Sequence, residues 1–199
     1  MTDPRIAYFD DMAPTWDNDG PTAEEMIACL QRHADRLALT PGKTLLELGC
    51  GTGKTTAWLA EQVAPGRVTA VDFAPGMIAA AQAKGIDATF RCADICCDDL
   101  GDAAFDVVFC FHCFPHLRDQ TAALANMASA LKPDGRLIVM HMRGSRHINS
   151  FHATLDAPVN IDVLPSGEAA WDALLESAGL RRNELIDRDD LFFLRAVRQ

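Results

Sequence analysis

With 199 residues, the chain has the length of one domain of ordinary size with room for a substantial core. Hydrophobic residues make up 49% and charged residues 23%, proportions that exclude a disordered or fibrous chain. The net charge of −10 argues against loose binding to nucleic-acid phosphates, so no nucleic-acid partner is expected.

Thr22 and Glu25 have capping-box spacing. Ala23, Met26, Ile27, Leu30, Ala34 and Leu37 then recur at helical intervals, which predicts a helix over Thr22–Leu39 that ends at Pro41-Gly42. Strands and helices alternate from there. Thr44–Leu48 is a short apolar strand, Thr52–Val63 a helix, Arg67–Val71 a second strand and Pro75–Lys84 a helix closed by Gly85. Ala88–Cys92 is a weaker strand, and Asp106–Phe111 is a strong one, apolar on both faces and therefore central. A helix over Asp119–Leu131 ends in the turn Lys132–Gly135, and Arg136–His141 makes a fifth strand. Met142–Pro165 shows no clear period. Ser166 caps a helix to Ala178, and Arg181–Asp187 and Leu191–Val197 read as two closing strands. The alternation predicts an α/β architecture, a doubly wound, mostly parallel sheet with helices on both faces. Ligands of such sheets sit outside the carboxyl ends of the strands.

The longest apolar stretches, such as Val107–Cys113, are too short to span a bilayer, so no membrane association is expected. Met1–Asp10 lacks a basic region followed by an apolar run, so no secretory signal is expected. Seven cysteines without an export signal fit a reducing, cytoplasmic setting. Oligomeric state is not legible.

Leu45–Gly53 leaves a buried strand and enters a helix through a glycine-rich turn, Gly49-Cys50-Gly51-Thr52-Gly53. Glycines there let the backbone turn sharply and approach a ligand closely. Gly53-Lys54-Thr55 suggests a phosphate-binding loop, but Leu48 stands where that motif needs its first glycine. A dinucleotide site expects G-x-G-x-x-G, whereas these glycines fall as G-x-G-x-G. A third reading is a site for a nucleoside carrying an amino acid, with Glu47 just before the glycines.

Together with Leu45–Gly53, the stretches Val71–Met77, Cys92–Ile95, Phe105–Val108 and Leu131–Val139 resemble, in order and spacing, the class I S-adenosylmethionine-dependent methyltransferases over nearly the whole chain. The resemblance implies a Rossmann-like sheet with an antiparallel closing strand, one domain over residues 1–199, and S-adenosylmethionine as cofactor. Within it, residues 1–40 form an N-terminal cofactor-covering segment and helix, and residues 142–165 an acceptor-facing connection. Asp72, 19 residues after Gly53, would accept the ribose hydroxyls, with Phe73 and Met77 flanking the adenine. Asp94 would accept the adenine amine with the Ile95 backbone nearby. Glu47, with Gly49, Cys50, Gly51 and Gly53, would organise the turn and the methionine end, and Cys110 would offer its carbonyl to the ammonium. An Asp after a strand also serves as a helix cap, and that reading stays open for Asp72 and Asp94. Tyr8-Phe9-Asp10 and Trp16-Asp17 resemble the family's N-terminal cover, and equally fit packing against the first helix.

Methyl transfer from a sulfonium is an in-line displacement, for which a protein supplies alignment, and a base only if the acceptor is weakly acidic. Five of the six histidines fall within Phe111–His152. His112, His116 and His141 are candidates for general base or acceptor-orienting donor, for a small-molecule acceptor in a His/Cys-lined pocket. A bound metal is a further possibility, through the C-x-x-C of Cys110 and Cys113 with nitrogen ligands from His141, His147 and His152, and above all through His141 and His152. One C-x-x-C without a second pair is a weak zinc signal. Arg143 and Arg146 fit either an acidic group on the acceptor or solvated loop charges. The rival functions are a nicotinamide-dependent oxidoreductase and a non-catalytic cofactor- or metal-binding protein on the same fold.

Overall fold

The apolar runs become strands in a computed structural model that describes residues 3–199. They are Thr44–Leu48 (β1), Arg67–Asp72 (β2), Thr89–Cys92 (β3), Phe105–Phe111 (β4), Leu131–His141 (β5), Leu180–Arg188 (β6) and Leu191–Arg198 (β7). They form a seven-stranded sheet of order β3-β2-β1-β4-β5-β7-β6. β2 runs parallel to β1 and β3, and β4 parallel to β5, while β7 is antiparallel to both β5 and β6. This is the mostly parallel α/β sheet with an antiparallel closing strand that the sequence predicts. The chain divides into two compact units, one through Ala93 and one from Asp94 onward.

In the first unit, Leu45, Leu46 and Leu48 of β1 and Ala70 and Val71 of β2 are inaccessible to solvent, as expected of strands covered on both faces. Pro4–Met12 forms an unpredicted helix (α1). Asp3 caps it by accepting the Arg5 N–H, and Pro4 fills the first turn, where its missing N–H is harmless. Ala23–Arg32 (α2) starts with the predicted capping box, Thr22 and Glu25 bonding each other's backbone N–H at 3.2 and 2.9 Å. The single predicted helix is in fact two. His33 leaves helical geometry, Ala34–Leu37 (α3) follows, and Ala38 ends it in the left-handed region. Thr56–Val63 (α4) begins four residues later than predicted, because Gly51–Thr55 is a turn. Pro75–Ala83 (α5) lies as expected.

In the second unit, Gln120–Ala130 (α6) is capped by Asp119, which accepts the Ala122 N–H at 2.9 Å. The predicted turn Lys132–Gly135 lies within β5, where the register against β4 shifts between Phe105 and Val107. Met142–Pro165, a connection without a clear period in the sequence, contains regular structure. Ser145–His152 is a helix (α7), and Val159–Ile161 a 3-10 turn. Two of the three side chains that α7 buries, Ser145 and His152, are polar, which hid its period. The segment is tied down along its length. Asp187 accepts from the Ser145 N–H at 2.8 Å and its hydroxyl at 2.5 Å. Asn149 bonds both backbone groups of Leu164, and Gln120 donates to the Val163 carbonyl.

Glu168–Ser177 (α8) contributes Trp171, fully buried between Phe114 and Phe192 at ring distances of 4.7 and 5.6 Å, with its indole N–H on the Pro165 carbonyl at 2.9 Å. Among the described residues, no helix is long and apolar enough to cross a membrane. Trp171→Ala removes a large core side chain and orphans that carbonyl, and is expected to cost about 3–5 kcal/mol. Guanidinium unfolding of the two proteins measures this, and a loss below about 1 kcal/mol would contradict the packing described.

Candidate functional site

In the first unit the turn after β1 is shaped by its glycines and by two acids. Gly49, Gly51 and Gly53 all take positive φ (65°, 54° and 78°), a region that side chains disfavour. A Cβ on Gly51 would come within 3.1 Å of the Trp16 indole nitrogen, and one on Gly53 within 3.2 Å of Ile86. The Cys50 N–H reaches the Val71 carbonyl at 3.0 Å, and the Gly53 N–H returns to Cys50 at 2.9 Å. Burial pushes the Cys50 thiol up, so it is no thiolate.

Asp72 stands at the tip of β2, where its two carboxylate oxygens accept the N–H groups of Gly51 (2.9 Å) and Ala74 (3.0 Å). Glu47 is 2% exposed and accepts the hydroxyls of Thr55 (2.8 Å) and Thr56 (2.6 Å) at the start of α4. Burial pushes its carboxyl up to about 7; the two hydroxyls oppose this, and the neighbouring Asp72 adds to it. Neither threonine was linked to Glu47 in the sequence. Hydroxyls eight and nine residues beyond an acid carry no signal of their own.

The N-terminal segment folds onto this turn. Asp10 accepts the Gly76 N–H at 2.6 Å, and Asp17 accepts the Thr52 hydroxyl at 2.5 Å and pairs with Lys84 at 2.7 Å. Phe9 meets both Trp16 and Phe73 at ring distances of 5.8 Å. Lys54, which mimics a phosphate-loop lysine in sequence, instead donates to the carbonyls of Asp19 and Pro21. Met77 is buried in α5.

In the second unit Asp94 is engaged by neighbours that the sequence did not reveal. One carboxylate oxygen accepts the Cys96 N–H at 2.8 Å and the other pairs with Arg118. Burial works to raise its pKa, but the Cys96 N–H and Arg118 outweigh it and hold the carboxyl below its usual range. The Ile95 carbonyl accepts from Asn126 at 3.0 Å, and Cys110 is fully buried in β4.

The histidines gather in this unit in two ring pairs. His112 has φ of 57°, uncommon for a side-chain-bearing residue and a frequent mark of functional strain. Its ring lies 5.1 Å from that of His141, and its Nε2 accepts the Met142 N–H at 3.3 Å. His141, at the end of β5, is 2% exposed, and its buried Nε2 has no hydrogen-bond partner among the described residues. Burial, followed by the charge of His116, pushes His112 down to about 4; burial and three neighbouring imidazoles hold His141 well below its ordinary value.

The second pair is His116 and His152, with rings 4.9 Å apart. His116 Nδ1 meets Asp162 Oδ2 at 2.7 Å, and His152 Nδ1 meets the Asp162 carbonyl at 2.9 Å. Burial and His116 lower the pKa of His152, against the pull of Asp162. The metal reading is not sustained by this geometry. Among the described residues, no three His, Cys, Asp or Glu side chains converge as a metal-holding group, and one His152 nitrogen is taken by a carbonyl. Arg143, Arg146, His147, Ser150 and Asp189 line an open surface cavity of about 410 Å3. There Arg146 pairs with Asp189 at 2.9 Å, with both side chains over 80% exposed (85% and 86%), a contact of little energetic weight.

Residues 46–139 match the family described as Methyltransferase domain. The malonyl-[acyl-carrier protein] O-methyltransferase of Anoxybacillus flavithermus is 30% identical over 181 residues, covering 85% of this chain and 68% of that protein. An O-methyltransferase of Penicillium expansum is 31% identical over 145 residues, covering 69% of this chain and 50% of its own. The chain thus spans about half the length of several curated relatives that it matches. Among solved structures, magnesium protoporphyrin IX methyltransferase from Synechocystis with bound SAH shares the fold, with a TM-score of 0.71 at 20% identity over 98% of each chain. The chain belongs to the class I S-adenosylmethionine-dependent methyltransferases. The nicotinamide-dependent alternative finds no support among these relatives.

Glu47 gives a pH test of the turn. Its carboxyl is raised in the folded protein, so the folded state binds the proton more tightly than the unfolded chain. The stabilisation is complete below about pH 4.5 and is lost as pH rises through about 7. Glu47→Gln, which carries no such charge, is expected to remove up to about 3 kcal/mol of this pH-dependent loss. Urea unfolding of both proteins at pH 5 and pH 8 measures the difference, and parallel stability curves would contradict it.

Proposed function

We propose that this protein transfers a methyl group from S-adenosylmethionine to a small-molecule acceptor. The observation that carries the reading is the turn after β1, with three left-handed glycines of which the middle one, Gly51, is held through its N–H by the Asp72 carboxylate. Its chemistry suits the cofactor. The two Asp72 oxygens accept backbone N–H groups, and a carboxylate is an acceptor-only group of the kind that suits a pair of ribose hydroxyls. The glycines bring bare backbone to the ligand, where a Cβ would crowd it. The SAH bound in the Synechocystis enzyme supports the same cofactor here.

On this reading Glu47, Gly49, Cys50, Gly51 and Gly53 form the methionine end of the site, and the Cys110 carbonyl receives the ammonium. Phe73 and Met77 flank the adenine, and Asp94 with the Ile95 backbone reads its edge. Because Asp94 is already paired with Arg118, whose side chain is 37% exposed, adenine binding there would loosen an ion pair of modest strength. The N-terminal segment, latched by Asp10 and Asp17, covers the turn.

When bound, the cofactor supplies an electrophilic methyl on a sulfonium. The protein's own part is to hold the acceptor in line, exclude water and manage its proton. His112, His116 and His141 serve the acceptor. His141 offers an unpartnered buried nitrogen to an acceptor polar group, and His112, kept neutral by burial, orients it. The names of the relatives, among them O-methyltransferases, support an oxygen nucleophile, and the one named for ubiquinone biosynthesis supports a small acceptor.

Calorimetry with S-adenosylmethionine and S-adenosylhomocysteine tests the donor half. The unaltered protein is expected to bind both at micromolar levels. Asp72→Asn is expected to weaken both by about 10- to 100-fold, the worth of charge-assisted hydrogen bonds. No heat of binding to the unaltered protein would overturn the proposal.

A further inference from the structure

His116 and Asp162 are 46 residues apart in sequence, yet Nδ1 of one lies 2.7 Å from Oδ2 of the other. Asp162 is deeply buried, with its side chain 1% exposed against 19% for His116. Its chain neighbours make this burial notable. Ile161 and Val163, large apolar residues, are 74% and 53% exposed. The segment therefore turns two apolar side chains outward and the acid inward, reversing the ordinary burial preference. A stretch that served only packing would do the opposite. Asp162 is also held from behind, since its carbonyl meets His152 Nδ1 at 2.9 Å. The segment that carries it is clamped by Asn149 to Leu164 and by Gln120 to Val163.

The contact decides how His116 carries its proton. A carboxylate oxygen accepts, so Nδ1 is the protonated nitrogen, and Nε2 is the one that exchanges a proton with a ligand. His112 and His152 use their ring nitrogens on backbone groups instead. The groups that face His116 are Asp162 from the 3-10 turn segment, His152 from α7, and His112 and His141 from the ends of β4 and β5.

We propose that Asp162 is the positioning residue of an Asp–His pair in which His116 acts as general base, and that the acceptor is a weakly acidic hydroxyl of the phenolic or enolic kind. The proposal rests on the methyltransferase reading above. His116 Nε2 takes the hydroxyl proton while the oxygen's electron pair forms the bond to the methyl carbon. The carbon–sulfur bond breaks with its pair left on sulfur, so the products are a methyl ether, a neutral thioether and an imidazolium stabilised by Asp162. A built-in base selects this acceptor class. Carboxylic acids ionise unaided at pH 7 and thiols supply a few per cent of a strongly nucleophilic thiolate, whereas a hydroxyl of pKa near 10 is only about one part in a thousand ionised.

Initial rates on phenol and on the more acidic 4-nitrophenol test the pair. His116→Gln is expected to lose about 10²- to 10⁴-fold in kcat/KM on phenol. Asp162→Asn should lose no more than that, and Asp162→Glu should regain part of the loss. All deficits should shrink on 4-nitrophenol, whose lower pKa leaves a far larger fraction already ionised. An equal loss on both phenols would show a structural role and overturn the proposal. Inactivity of the unaltered protein on both phenols, with normal binding of S-adenosylhomocysteine, would overturn the hydroxyl class and leave the methyltransferase reading standing. Imidazole nitrogen NMR of the unaltered protein gives an acceptor-independent reading. His116 should be protonated at Nδ1 when neutral, and protonation at Nε2 alone would also overturn the proposal.

Discussion

The Asp72 carboxylate holds the turn after β1 together. One oxygen accepts the N–H of Gly51, 21 residues earlier in the chain, and the other that of Ala74, two residues later. Both donors are buried, and without the acid both would be orphaned at a cost of about 1–3 kcal/mol each. The three left-handed glycines make the sharp path possible, and the acid makes it the preferred one. Glu47 completes the arrangement from the strand side by gripping Thr55 and Thr56, which sets where α4 begins. The N-terminal attachments depend on this turn in their geometry. Trp16 rests against Gly51, where a side chain would meet it, and Asp17 bonds Thr52 inside the turn itself.

The second unit sorts its histidines by what each ring nitrogen meets. Near β4 and β5, burial keeps His112 and His141 neutral, and a neutral imidazole can orient a polar group without carrying charge into an apolar setting. Beside α7, His116 instead sets its Nδ1 against an oxygen of a buried carboxylate. The two behaviours arise from position alone, because the side chains are identical. It is the same logic by which paired titratable groups elsewhere divide acid and base roles.

Much of this was legible in the sequence. Val107–Phe111 is an unbroken apolar run, and Thr44–Leu48 is interrupted only by Glu47 after its first residue; strands covered on both faces read that way. The glycine turn and Asp72 were visible because their spacing is local. What stayed hidden was hidden for physical reasons. α1 buries only Phe9, so it has no period to detect, although Asp3-Pro4 was an available cap signal. α7 buries Ser145, Ile148 and His152 at helical spacing, but two of these are polar. Asp162 and Arg118 act on His116 and Asp94 across 46 and 24 residues, and no local pattern encodes such a meeting.

The hairpin of β6 and β7 carries a role beyond closing the sheet. Asp187, paired with Phe192 near the hairpin turn, is the residue that holds the N-terminus of α7 through Ser145. Side chains on a strand alternate faces, so slipping β6 by one residue would swing Asp187 to the opposite side. The Ser145 anchor would go with it, and with that anchor the mooring of the segment that bears His152 and Asp162. The alignment of two strands at the far edge of the sheet thereby acts as a gauge for the imidazoles. A turn insertion at Arg188–Asp190 that shifted register would detune them without touching any histidine.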